Sequence, residues 1–318
     1  MKIGAAQLRP IWLDSAATTD KIISTIAKAA SMGIELLAFP ESFLSGYPFW
    51  LCRTNAAAFN DPRHGRAYAQ FLEAAIEPNG TEITRISEAC KDYGVSIFLG
   101  VNERGTTSAR GSIYCSMIVI DSEKGVCGIH RKLVPTHDER LCWAPGDAHG
   151  LQIHKIRGFR VGGLNCWENW MPLARFALYA EGEEIHIASW PGNKSVVGVA
   201  PEFIATEARV WVISVLGLLS LNDIPDSFEF KADLVANNDH DYFLGGSKIV
   251  DPTGKTIVEA EIGQEAIIHT NADIESVNAE RQMKDVSGHY NRSDLLQLEI
   301  NSIRPTAVQR INVSGKKR

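Results

Sequence analysis

Three segments of this chain carry side chains able to do covalent chemistry together. Cys166 lies in Gly162-Gly163-Leu164-Asn165-Cys166-Trp167-Glu168-Asn169-Trp170-Met171-Pro172, just after an apolar, strand-like run and just before a helix start. A thiol at such a turn stands at the end of a sheet and faces helix-terminal N–H groups, which favour the reactive thiolate. Phe39-Pro40-Glu41-Ser42-Phe43 offers a carboxylate at a strand end, and His130-Arg131-Lys132-Leu133-Val134-Pro135-Thr136 offers an ammonium. A nucleophile, a base and a cation form a working set for acyl-type chemistry without metal.

Each residue has a plainer reading. Glu41 alone reads as a surface carboxylate, but Phe39, Phe43, Tyr47, Phe49 and Trp50 stand around it in sequence. A carboxylate among aromatics is desolvated, which raises its pKa toward general-base range. Lys132 alone reads as part of a solvated turn after a strand. Cys166 alone reads as a small buried hydrophobe at a strand end. The adjacent Glu168 argues against that, because a carboxylate beside a core cysteine needs a polar partner that an active-site mouth would supply.

These groups need a scaffold, and the chain alternates strand-like and helix-like segments. Residues 20–33 carry a helical apolar stripe closed by a C-cap glycine, and 34–39 read as a buried strand stopped by Pro40. Residues 40–65, rich in aromatics, prolines and asparagines, read as loop. A helix is expected over 81–93, strands over 95–101 and 114–121, and a helix from about Pro172 to Glu181. A strand over 185–189, a helix over 201–209 and a strand over 211–216 follow. Residues 246–250 and 257–260 flank the turn Asp251-Pro252-Thr253-Gly254-Lys255 and read as a hairpin, and 266–272 as a last strand. Residues 274–318 are polar and mixed, and read as an outer C-terminal arm used in assembly. With no linker and no internal repeat, the pattern predicts a single α/β layered domain over 1–318.

Composition removes several classes of function. The 318 residues are 45% hydrophobic and 22% charged, which supplies ample core, and the net charge of −6 gives no nucleic-acid footprint. The short basic tail Lys316-Lys317-Arg318 reads as solvated. Met1-Lys2 leads into a first strand rather than a signal sequence, and the longest apolar run, 210–221, is too short to cross a membrane. The expected location is cytoplasmic, with no membrane partner. The six cysteines show no CxxC spacing, and the histidines lack zinc-site spacing, so neither a metal nor a cofactor is expected.

Taken together, the three segments resemble the nitrilase superfamily of carbon–nitrogen hydrolases, over nearly the whole chain. Phe39-Pro40-Glu41 is similar to the family's glutamate motif, His130-Arg131-Lys132-Leu133 to its lysine motif and Cys166-Trp167-Glu168 to its cysteine motif, in the family's order. Gly46-Tyr47-Pro48-Phe49-Trp50, the stretch from Lys132 to Arg140 with Trp143, and the flank from Cys166 to Arg175 resemble the nitrilase branch; amidase-type members usually differ after the cysteine. Gly288-His289-Tyr290-Asn291-Arg292-Ser293-Asp294 is similar to that branch's C-terminal signature, with Asn291 and Ser293 as departures.

The resemblance implies a four-layer α-β-β-α sandwich that assembles as a homodimer or larger homo-oligomer. It implies hydrolysis of a small-molecule nitrile to acid and ammonia, with Cys166 as nucleophile, Glu41 as base and Lys132 as charge stabiliser, through a thioimidate and then a thioester. Glu139 resembles a second glutamate that positions Lys132 or substrate, and the Trp167 N–H is a further anion donor. Tyr47, Trp167 and Trp190 read either as pocket lining or as core, together with Phe49, Trp50 and Trp143. His137, within Pro135-Thr136-His137, resembles a position in arylacetonitrile-hydrolysing relatives. The rival activities are an amidase or carbamoylase with the same triad, and hydrolysis of cyanide; a non-catalytic assembly protein is the rival from outside the enzyme class.

Overall fold

The computed structural model of the chain describes residues 1–106 and 109–306. The basic tail 316–318 and the last part of the expected arm lie outside the described residues. In chain order the elements are β1 (Lys2–Gln7), α1 (Ser15–Ser31), β2 (Leu36–Ala38), α2 (Pro62–Ala74), α3 (Thr81–Tyr93), β3 (Ser96–Arg104), β4 (Ile113–Asp121) and β5 (Gly125–Arg131). There follow β6 (His154–Ile156), β7 (Phe159–Asn165), α4 (Pro172–Ala180), β8 (Ile185–Trp190), α5 (Lys194–Val197), α6 (Ala200–Ala208), β9 (Trp211–Leu216) and β10 (Leu218–Ser220). The chain continues with α7 (Lys231–Ala236), β11 (Asp241–Leu244), β12 (Lys248–Val250), β13 (Thr256–Glu259), β14 (Ala266–Asn271) and α8 (Ile274–Arg281).

Two six-stranded sheets form, ordered β14-β1-β2-β3-β4-β5 and β13-β12-β9-β8-β7-β6. They repeat one pattern. Three central parallel strands, β1-β2-β3 in one and β7-β8-β9 in the other, carry one antiparallel strand on one side and two on the other.

Side-chain alternation along these strands builds the layers. Ile3, Ala5, Leu36, Phe98, Met117 and Val119 face Val161, Ile185, Ile187, Ile213 and Val215 between the sheets. On the other face of the first sheet, Leu37, Ile97, Leu99 and Ile118 meet Ile22 and Ile26 of α1 and Ile83 and Ile86 of α3. The second sheet's other face packs Ala188 and Val212 on Ile204 and Ala205 of α6, and Leu164 on Ala177 and Leu178 of α4. The architecture is therefore helix, sheet, sheet, helix, as expected.

Local signals explain most boundaries. Asp14 caps α1 by accepting the Ala17 N–H at 2.8 Å, and Gly94, at φ +69°, ends α3 in the left-handed region. The expected loop over 40–65 is shortened by α2, whose start is signalled by Asp61, a capping side chain, and Pro62 in the first turn. His130 and Arg131 end strand β5, and Lys132 follows directly and is buried, so the plainer reading of Lys132 as part of a solvated turn does not hold. Residues 274–281, read as the start of an outer arm, form α8, whose Val277 is fully buried against the inter-sheet core. Among the described residues, no helix is long and apolar enough to cross a membrane.

Candidate active site

The three segments converge where the central parallel strands end. β2 delivers Glu41 through Phe39 and Pro40, and the Glu41 N–H donates to the Trp190 carbonyl at the end of β8, 3.2 Å away. The approach is close enough that only glycine fits at position 100 of β3: a Cβ there would lie 2.1 Å from the Pro40 oxygen and 2.7 Å from the Glu41 Cα. β5 delivers Lys132, whose N–H donates to the Cys115 carbonyl of β4 at 2.7 Å. β7 ends at Asn165, and Cys166 opens a 3-10 turn (Cys166–Trp170) with φ +48°, a strained left-handed conformation for a residue with a side chain.

The side chains form one buried cluster. Lys132 is 1% exposed, and its Nζ donates to Glu41 Oε1 and to Glu139 Oε2, both at 2.7 Å. Glu139 lies in a short 3-10 helix (His137–Leu141), where its Oε2 also accepts the Thr136 N–H at 2.6 Å and its Oε1 accepts the Tyr47 hydroxyl at 2.7 Å. Trp143 stands under the ammonium, with Nζ 5.4 Å from its ring centre. Glu41, Glu139 and the sulfur of Cys166 place one atom each within 4.8 Å of one another. Such a trio has the donor types of a metal site, but the cation that bridges its two carboxylates is the ammonium of Lys132 itself.

Burial sets the protonation states. It pushes the Glu41 carboxyl up to about 7 against the opposing pull of Lys132, with Glu139 adding to the rise. It also drives the Cys166 thiol well above its ordinary range; Lys132 opposes this, Glu41 and Glu139 add to it, and the Trp167 N–H acts with Lys132. The resting sulfur is therefore a thiol, not the thiolate that helix-terminal N–H groups alone would favour, and it needs a base. Burial opposes the charge on Lys132, but the carboxylates of Glu41 and Glu139 beside it hold its ammonium well above the ordinary lysine range.

Glu168 does not enter this cluster. It turns back into the fold, where its oxygens accept the N–H of Leu133 at 2.7 Å and of Asn165 at 2.9 Å, and meet His130 Nε2 at 3.0 Å. The polar partner that a carboxylate beside Cys166 required is this interior clamp, which sequence spacing did not reveal.

A cavity of about 200 Å³ opens above the sulfur, lined by Tyr47, Thr136, Asp138, Glu139, Trp167, Trp190, Asn193, Val196, Val197 and Phe243 beside Cys166. Tyr47, Trp167 and Trp190 therefore face the cavity, whereas Phe49 and Trp50 lie behind it, in an aromatic core against which Tyr47 and Phe243 pack. His137, expected to contact substrate, is absent from the lining; its side chain is 90% exposed on a residue at φ +47°. Phe243 of β11, packed edge-on against Tyr47, was not anticipated, because the two-stranded β10–β11 sheet carries no alternating signal.

Both the layered sandwich and a cysteine flanked by two glutamates and a lysine at the strand ends define a class of hydrolase, and comparison with known proteins agrees. Residues 2–282 match the carbon-nitrogen hydrolase family model. The chain is 34% identical over 311 residues to a protein named nitrilase 2 from an unknown prokaryotic organism, covering 97% of this chain and 95% of that one. It is 31% identical to an aliphatic nitrilase of Rhodococcus rhodochrous, covering 96% and 84%. Among solved structures, an amidase from Nesterenkonia sp. AN1, bearing acrylamide on its active-site cysteine, shares the fold with a TM-score of 0.65 at 18% identity, over 89% of this chain and 97% of that one. The chain belongs to the carbon–nitrogen hydrolase family, the nitrilase superfamily, and is a hydrolase acting on carbon–nitrogen bonds.

Proposed function

We propose that the protein hydrolyses an organic nitrile to its carboxylic acid and ammonia, with Cys166 as nucleophile. The observation that carries this reading is the buried contact of Lys132 with both Glu41 and Glu139 beside the Cys166 thiol. The names of the relatives, nitrilase 2 and aliphatic nitrilase, support the nitrile as substrate.

Glu41 accepts the Cys166 proton as sulfur bonds to the nitrile carbon and passes that proton to the nitrile nitrogen, giving a thioimidate and restoring the carboxylate. Water adds with Glu41 again as base, and the carbon becomes tetrahedral. Of the three N–H donors of Lys132, two are held by Glu41 and Glu139, which leaves the third for the developing negative charge. The Trp167 N–H adds a second donor. The nitrogen leaves as ammonia and a thioester remains. A second water, activated by Glu41, releases the acid and returns the proton to sulfur. The sum is one nitrile and two waters giving one acid and one ammonia.

The cavity bounds the substrate. A dry cavity of about 150 Å³ holds benzene, so about 200 Å³ takes a short aliphatic nitrile or one with a single ring. The aromatic walls favour an uncharged body, and Asp138 at the lining disfavours an anionic one. Residues 282–306, mostly exposed, suit the assembly role expected of the C-terminal arm, in a homodimer or larger homo-oligomer.

The test is release of ammonia and acid from matched nitriles and amides spanning short aliphatic, benzonitrile-like and arylacetonitrile-like compounds, plus cyanide. Release from nitriles, lost in Cys166→Ala, is expected. Release from amides alone would assign the amidase activity instead.

A further inference from the structure

Cys115 is a second buried cysteine at this site, and the mechanism above gives it no task. It lies on β4 opposite Asn102 of β3 and is fully buried. Its Sγ is 3.1 Å from Glu41 Oε1, and its carbonyl accepts the Lys132 N–H at 2.7 Å. One residue thus touches the base through its side chain and the cation-bearing strand end through its backbone.

The partition of hydrogen bonds on Glu41 is uneven. Oε1 receives both the Lys132 ammonium and the Cys115 thiol, whereas Oε2 is buried with no protein partner among the described residues. A buried carboxylate oxygen without a donor is the more basic of the two. The thiol can only donate here, because its own ionisation is suppressed by burial and by the Glu41 charge.

We propose that Cys115 is a positioning residue for the general base: its S–H pins Glu41 Oε1, fixes the carboxylate plane, and leaves Oε2 to take the proton of Cys166. This inference rests on the assignment of Glu41 as base in the proposed function. The charged and titratable groups facing Glu41 are Lys132 at the end of β5, Glu139 and Tyr47 from the loops, Cys166 after β7, and Cys115 itself.

The test uses the full-length protein with Cys115→Ala, Cys115→Val and Cys115→Ser. Two profiles are measured against pH: kcat/KM for the best nitrile, and the rate of iodoacetamide alkylation at Cys166, read from its peptide by mass spectrometry. Removing a donor from a carboxylate raises its pKa. The acidic limb of both profiles is therefore expected to move upward by roughly 0.5–1 pH unit in the alanine and valine variants, with a several-fold loss of kcat. The serine variant, which keeps a donor, is expected to return the limb to the wild-type position. The valine variant preserves side-chain bulk should the alanine variant fold poorly. Limbs that coincide with wild type in both apolar variants would overturn the proposal, as would an equal shift in the serine variant, which would mark a packing effect. A wild type that turns over neither nitrile nor amide would defeat the functional reading, while the alkylation profile still decides the role of Cys115.

Discussion

The imidazole of His130 and the carboxylate of Glu168 meet at 3.0 Å inside the fold, between the strand that delivers Lys132 and the turn that delivers Cys166. His130 precedes Lys132 by two residues, and Glu168 follows Cys166 by two. The same carboxylate accepts the N–H of Leu133 and of Asn165, so it holds the chain neighbours of Lys132 and of Cys166.

Replacing Glu168 with glutamine therefore acts on both. The new amide group would turn a donor toward one of these N–H groups. The expected cost is about 3 kcal/mol in stability, together with a fall in kcat larger than the change in KM. Urea unfolding and steady-state kinetics of the variant check this. Burial would raise the Glu168 carboxyl, but His130 and the N–H groups of Leu133 and Asn165 hold it below 4.5. Its contribution to stability is thus present above about pH 4.5 and is lost as pH falls through the lower folded value. The difference between wild type and the glutamine variant is expected to narrow in acid.

Activity has its own acidic limit. As the proposed base, Glu41 would have to be ionised to accept the thiol proton, and its carboxyl is raised to about 7. The expected profile of kcat/KM falls as pH drops through about 7, rather than through the ordinary carboxylate range. Glu41→Gln should lower kcat by roughly 10²–10⁴-fold and remove that limb. A limb at ordinary carboxylate pH would contradict the assignment.

Gly100 is required by proximity rather than by its backbone angles. An alanine there would overlap the Pro40 carbonyl and the Glu41 backbone. Gly100→Ala is expected to displace Glu41, reduce kcat at least tenfold and destabilise the fold by about 1–3 kcal/mol. Thermal melts and kinetics together test it; a fully active, stable variant would show that the Glu41 segment yields freely.

The cavity wall is expected to set substrate size. Val197→Phe should raise KM for single-ring nitriles by tenfold or more while sparing the shortest aliphatic ones, because the added ring fills much of a 200 Å³ space. Phe243→Ala should do the reverse and admit bulkier substrates. A KM series over nitriles of increasing size checks both.

Much of this was legible in the sequence, for identifiable reasons. Helix α3 follows from its apolar stripe and the glycine that ends it, and strand β9 from a short unbroken apolar run. Glu41, Lys132 and Cys166 stand out because each follows a strand and carries its own motif. The rest depends on long-range packing. β5 holds glycines at 125 and 128 and ends in charged residues, so it carries no strand signal of its own; only pairing with β4 reveals that His130 and Lys132 are buried. The contact of Cys115 with Glu41 joins residues 74 apart and leaves no local trace. The resemblance of Pro135-Thr136-His137 to arylacetonitrile-hydrolysing relatives points to His137, yet its side chain lies in solvent while Glu139, two residues on, is buried.

In the proposed reaction the sulfur of Cys166 bonds to the nitrile carbon during turnover. Rapid acid quench with a ¹³C-labelled nitrile, followed by peptide mass spectrometry, tests it most directly. The expected result is a labelled thioimidate or thioester on the Cys166 peptide in the first turnover, decaying as acid appears, and neither adduct nor turnover in Cys166→Ala. Labelled acid formed by Cys166→Ala at the wild-type rate, or an adduct on another residue, would contradict it.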